Sequence, residues 1–142
     1  ASKHGYFDLL RGVYEGLSFA ARDCYEAAGG VPAEVRLSGG AARSKALRKI
    51  RGSVLKTRFR TAERGEAGAS GVAMMAAVCL GIYPNMAACV KDWVHPYLSE
   101  AEEYDASKGQ IYDSLYPNYV EARRAYPPIW QSLKKQGELL GT

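Results

Sequence analysis

Histidine is nearly missing from this chain, and the shortage removes whole classes of chemistry. His4 and His95 are the only two, at no spacing that suits zinc, and no Ser/His/Asp or Cys/His relay can be built from them. Cysteine is also sparse. Cys24, Cys79 and Cys89 form no C-x-x-C pair and read as free, buried thiols of a reducing compartment. The first residues carry no apolar core of a signal peptide, so a cytoplasmic location is expected. Ala67 to Tyr83 is uncharged throughout, but its Ala and Gly content supplies little apolar drive to enter a bilayer. A buried helix in a soluble core is expected there, and no membrane partner. Internal repeats and low-complexity tracts are absent.

What is present fits one folded domain or part of one. The 142 residues are 47% hydrophobic and 24% charged, with a formal charge of +4. Tyr6, Leu10, Val13, Tyr14, Leu17, Ala21 and Cys24 recur at helical spacing, which predicts a helix from about Tyr6 to Ala28 with those residues on its buried face. Gly12 and Gly16 on that helix leave room for another backbone. Gly29-Gly30-Val31-Pro32 stops it. Glu34 to Leu37 reads as a short strand, Ala42 to Leu55 as a helix, and Thr57 to Thr61 as a second strand at an edge or half-exposed position. A small-residue helix from Ala67 to Gly81 follows. Asn85 is placed to cap a helix through Val94, and Ser99 to Ser107 reads as polar surface. The remainder from Lys108 to Leu139 is helical, broken near Pro117 and Pro127-Pro128, with Tyr112, Leu115, Tyr116, Tyr119, Ile129, Trp130 and Leu133 on its buried side. Two short strands are too few for a stable sheet. Joined by a helix they are expected to be parallel, which requires cover on both faces. The chain therefore reads as the later portion of a larger α/β domain whose first strands lie outside it.

The functional signal centres on Val35 to Ser44, where a strand runs into Gly39-Gly40 and then a helix. That order presents backbone N–H groups and the positive end of a helix dipole, a setting for the phosphate or ribose of a nucleotide, although a glycine pair after a strand is more often a plain turn. Three stretches in order make the reading specific. Arg11, Glu15, Gly16 and Phe19 match an R-A-x-x-E-G-x-x-F element. Leu37-Ser38-Gly39-Gly40-Ala41-Ala42-Arg43-Ser44 matches a G-G-G/A-x-x-S/N element. Glu66, Ala69, Gly71 and Ala73 match E-x-x-A-x-G-A-A. The succession resembles the C-terminal domain of the FGGY family of carbohydrate kinases. Met74 to Val78 and Tyr83 to Met86 are most similar to the kinases of erythritol, L-xylulose and related small polyols or ketoses. Arg51 departs from the family, which usually has a small or acidic residue there, and Lys56-Thr57-Arg58 replaces a common Gly-x-Pro turn.

The resemblance implies a helix-rich, C-terminal part of a ribonuclease H-like, actin-like ATPase domain spanning residues 1–142. It implies ATP or ADP with Mg²⁺, the metal held mainly by the phosphates and by a preceding N-terminal domain. Gly39, Gly40 and Ala41 would line the nucleotide, Ser44 would reach the adenine, and Leu47 would lie against the base. Gly71 would let its helix come close, with Glu15 and Glu66 in supporting, structural roles. The catalytic aspartate and the sugar or polyol site belong to the preceding domain, so no catalytic residue and no metal ligand is assigned in this chain. A homodimer stays open. Nine basic residues between Arg43 and Arg64 face the single acid Glu63, which supplies the rival reading of a small nucleic-acid-binding module. No aromatic platform accompanies them, and a solvated basic face is expected instead. A third alternative is a non-catalytic kinase remnant used for protein association.

Overall fold

The computed structural model describes residues 5–62 and 66–140. Helix α1 spans Tyr6–Ala27, strand β1 Glu34–Leu37, the single-turn helix α2 Gly40–Arg43, and α3 Lys45–Leu55. Strand β2 spans Arg58–Thr61, α4 Ala67–Cys79, α5 Met86–Trp93, a 3₁₀ turn His95–Tyr97, and α6 Ala106–Leu140.

The two strands are parallel, in register Glu34 with Arg58, Val35 with Phe59, Arg36 with Arg60 and Leu37 with Thr61. The route between them runs through α3, the kind of crossover that a parallel pair requires. Thr57, fully buried, donates its hydroxyl to the Pro32 carbonyl (2.6 Å) and so fixes where the two strands start relative to each other. Glu34 offsets the like charges that this register brings together: it accepts from Arg60 at 3.0 Å and lies 3.8 Å from Arg36. The strand β2 is half-exposed as expected, but it is not an edge. Residues 98–102 pair with its other side, antiparallel, through Phe59 with Glu102 and Ala62 with Leu98. Ser99 to Ser107 lies at the surface as expected, with no residue buried, and the pairing adds a main-chain link to β2 that its polar side chains did not signal.

Two small cores hold the elements together. Among α1, α3 and α6, Phe19, Val54, Tyr112 and Tyr116 are buried together, with Ile50, Tyr119 and Val120 against them. Where the strands meet α3, Val35, Leu55 and Phe59 pack with Tyr25, Val31 and Leu37. Helix α6 lies against α3 closely enough that a Cβ on Gly109 would sit 3.3 Å from the Ser53 carbonyl oxygen and from Lys56 Cγ. The Phe19 ring meets Tyr112 edge-on at 5.9 Å. Arg22 stacks 4.2 Å over Tyr116 and donates to Asp113 at 2.8 Å, which also takes Lys56 at 2.8 Å.

Several expectations need correction. Tyr6, Leu10, Val13, Leu17 and Cys24 are exposed, and α1 packs instead through Ser18 and Phe19, a face dictated by α3 and α6 rather than by the widest apolar stripe. A Cβ at Gly12 or Gly16 would meet no atom of another described element within 4 Å, so no backbone packs there. Cys79 is exposed too, leaving Cys89 as the buried thiol. The predicted Ala42–Leu55 helix is split at Ser44, whose extended backbone separates α2 from α3. The helix α4 is not buried: Ala77 is its one buried residue, with Val72 and Met75 exposed. The helix α6 runs unbroken through Pro117, Pro127 and Pro128, all at exposed positions where water can take the carbonyls they leave unpaired. Its far half stands clear of the core, with Ile129, Trp130 and Leu133 exposed. No helix among the described residues is long and apolar enough to cross a membrane.

Candidate functional site

Parallel strands deliver their following loops to one edge, and ligands of such sheets bind outside the carboxyl ends of the strands. Here β1 ends at Leu37 and leads to Ser38-Gly39-Gly40, while β2 ends at Thr61 and leads toward Glu66 and α4. A cavity of about 190 Å³ lies at that edge. Leu37 and Ser38 from the first loop, Ala62 from the second, and Ala67, Ser70 and Met74 from α4 form three sides, while Tyr97 and Leu98 close the fourth. Arg36 also lines it and is the one charged residue in the lining among the described residues. Ligand pockets usually start at about 300 Å³, so this is a partial wall rather than a closed site.

Gly39 is what makes the turn. Its φ of 72° and ψ of −157° belong to a region that only glycine occupies without strain. Gly40 has no such constraint, and a Cβ there would meet nothing within 4 Å, so its surface stands open above the turn. Gly40 and Ala41 begin α2, whose single turn supplies far less dipole than the long helix expected from the sequence. Ser44 ends α2 and caps α3: its hydroxyl accepts from the Leu47 N–H at 3.3 Å. Leu47 itself is 8% exposed and belongs to the interior side of α3. Gly71 on α4 would likewise meet nothing within 4 Å if it carried a Cβ, leaving the helix surface beside Ser70 open. Glu66 is exposed at the head of α4 and its carboxylate makes no cap.

At this edge Ser38, next to Gly39, shares the cavity with Ala67 and Ser70, which follow Glu66 and precede Gly71. Gly39, Gly40, Ser44, Leu47, Glu66 and Gly71 themselves are not in its lining. Glu15 is committed elsewhere. It accepts from Arg11 at 2.8 Å and from the buried Tyr112 hydroxyl at 2.9 Å, tying α1 to α6. Hydrogen bonds to Glu15 and then Tyr112 raise the Arg11 pKa, while burial is the leading cause that raises Tyr112.

Sequence reasoning missed Arg48 and Glu102. Arg48 donates to the Ala42 carbonyl and grips Glu102 with Nε at 3.0 Å and Nη2 at 2.8 Å. No local signal could reveal a partner 54 positions away. The same long-range pairing dissolves much of the basic stretch, since Lys56 pairs with Asp113, Arg58 with Glu103 and Arg60 with Glu34. Arg51, the departure from the family pattern, keeps a buried Nε with no hydrogen-bond partner among the described residues. No group of three or more His, Cys, Asp or Glu that could hold a metal lies among the described residues.

Residues 2–80, more than half of the chain, match the FGGY family of carbohydrate kinases, C-terminal domain. The chain belongs to this family. It is 47% identical over 133 residues to the erythritol kinase of Brucella abortus (strain 2308), covering 94% of this chain and 26% of that protein. The fold is shared with the xylulose kinase of Rhodospirillum rubrum (TM-score 0.73, 23% identity, 92% of this chain and 27% of that one). The gluconate kinase of Lactobacillus acidophilus is similar to the same degree (TM-score 0.72, 18% identity, 89% of this chain and 26% of that one). The chain therefore spans about a quarter of the length of the FGGY kinases it matches. As a carbohydrate-kinase C-terminal domain it is helix-rich with few strands, in keeping with the helical part of an actin-like ATPase fold.

Proposed function

We propose that this FGGY domain binds the nucleotide of an ATP-dependent carbohydrate kinase, which transfers the γ-phosphate to a hydroxyl of a small sugar or polyol. The carrying observation is the Gly39-Gly40 turn at the carboxyl end of β1, directly after Ser38, which lines an open cavity shared with α4. The backbone at Gly39, Gly40 and Ala41 would take the ribose and phosphate side of ATP. Ser44 would turn toward the adenine, exchanging its cap for a ligand contact, and Leu47 would support the base from beneath. Gly71 leaves α4 bare where the nucleotide would approach, and Glu66 heads that helix. Arg36 is placed to meet negative charge.

The polar groups lining the cavity are the Ser38, Ser70 and Tyr97 hydroxyls and the Arg36 guanidinium, which suit phosphates, and Glu66 beside them is a single carboxylate, too few to hold Mg²⁺ by itself. The ion would be held by the phosphates and by a second domain, which would also bring the substrate and the aspartate that deprotonates its hydroxyl. Phosphoryl transfer depends on aligning all these parts, so the chain alone is expected to give no turnover. Identity to an erythritol kinase favours a small polyol as the acceptor. A cytoplasmic location follows from that metabolic role.

Calorimetry with ADP and Mg²⁺ on the wild-type chain and Gly40→Val tests the site. Gly40 has free space around it, so the variant is expected to fold normally and lose the nucleotide. Equal binding by both, or none by wild type, overturns the assignment. A coupled assay with ATP and erythritol tests the second claim, and measurable phosphorylation by this chain alone overturns it.

A further inference from the structure

A four-residue helix cannot hold its own shape, because nucleation is costly and its terminal carbonyls have no intrahelical partner. The helix α2 carries the glycine turn and therefore needs an outside hold. Arg48 supplies one. It sits one turn into α3, its side chain is 15% exposed, and one arm of its guanidinium donates to the Ala42 carbonyl inside α2. Its other side clasps Glu102 through Nε to both carboxylate oxygens at 3.0 and 3.2 Å and Nη2 at 2.8 Å. Glu102 is fixed in turn by its backbone, which accepts from Phe59 N–H at 3.1 Å and donates to the Phe59 carbonyl at 2.8 Å. Phe59 belongs to the buried core. A continuous chain of contacts therefore runs from the interior of β2 through Glu102 and Arg48 to the helix behind Gly39.

We propose that Arg48 is a positioning residue for the glycine turn: by joining the Ala42 carbonyl to Glu102, it holds Gly39 to Ser44 in the shape that receives the nucleotide, without touching the nucleotide. The inference rests on the nucleotide reading above. The guanidinium is suited to this because its planar fork serves a carbonyl and a carboxylate at once, whereas an ammonium offers a single point of charge. Preorganising the turn spares the ligand that cost at binding.

Arg48→Met, Arg48→Lys and Glu102→Gln in the same chain test it, by amide hydrogen exchange without nucleotide and by ADP calorimetry. Arg48→Met is expected to speed exchange selectively at residues 40–47 and to weaken ADP about tenfold or more. Arg48→Lys should fall nearer to Met than to wild type. Glu102→Gln keeps the shape but not the charge, and should give a smaller loss of the same kind even if Arg48→Met fails to fold. Variants that bind ADP as wild type does, or that lower the melting temperature with exchange rising evenly through the chain, overturn the inference. A wild-type chain that takes no ADP sinks the nucleotide reading instead, and local exchange then decides by itself whether Arg48 holds the turn.

Discussion

The layer formed by α1, α3 and α6 and the pair α4–α5 are both rich in apolar residues, and they use them in opposite ways. In the first, Phe19, Val54, Tyr112 and Tyr116 bury one another, and Arg22, Asp113 and Lys56 tie the three helices with ion pairs at 2.8 Å. In the second, Val72, Met75, Leu80, Ile82 and Met86 are exposed, and the fastening includes the buried Ala77 and Cys89, the Tyr83–Trp93 hydrogen bond at 3.0 Å and the Asn85 cap at 2.9 Å. A helix that is apolar all round belongs among close neighbours, and α4 has only α5 packed closely against it among the described residues. Apolar content therefore does not by itself locate a core; partners do. The candidate nucleotide edge lies on the boundary between the packed region and the open one, which is where a ligand can serve as one of the missing partners.

The contrast can be broken most directly at Phe59, which is 2% exposed between β1 and α3. Phe59→Ala is expected to cost about 3–5 kcal/mol, enough to unfold much of a domain of ordinary stability, whereas Val72→Ala on α4 should change stability by less than about 0.5 kcal/mol. Urea unfolding of the two variants compares them, and equal costs would erase the distinction between the regions. At the boundary, Gly39→Ala is expected to cost about 1–3 kcal/mol because alanine is strained at φ 72°. Gly40→Ala should be tolerated, and thermal unfolding of the pair separates backbone strain from loss of a ligand surface.

The packed region should also respond to alkali. Burial, and then the hydrogen bond to Glu26, pushes the Tyr116 hydroxyl from 10.0 up to about 12. Unfolded chains lose this proton more readily, so the stabilisation is complete below pH 10.0 and is lost as pH rises through about 12. Tyr116→Phe should flatten the fall of the urea midpoint across that window, and an unchanged slope would remove Tyr116 as its cause. The smallest effect is expected from Arg58→Ala, whose exposed pairing with Glu103 at 3.9 Å contributes under about 1 kcal/mol.

Both strands, α1 and the Asn85 cap were legible because each rests on neighbours in sequence: periodicity, a glycine stop, a hydroxyl or amide one turn from its target. The glycine turn was legible for the same reason, as was family membership, which residues 2–80 bear out. The break at Ser44 was not, since good helix formers lie on both sides of it and only the contacts of α2 and α3 decide where the axis bends. Which stripe of α1 is buried was equally hidden. Tyr6, Leu10 and Val13 have the stronger apolar pattern, yet Ser18 and Phe19 face α3 and α6.

By itself, then, the sequence determined the local elements and the Gly39-Gly40 turn, because backbone propensity and short-range caps act over a few residues. Only the tertiary structure decided that residues 98–102 bridge to β2, that Arg48, Lys56, Arg58 and Arg60 of the basic stretch are paired with acids, and that Arg48 reaches Glu102 behind the turn. Those pairings join residues tens of positions apart, and their free energy depends on burial and geometry that no stretch of sequence contains.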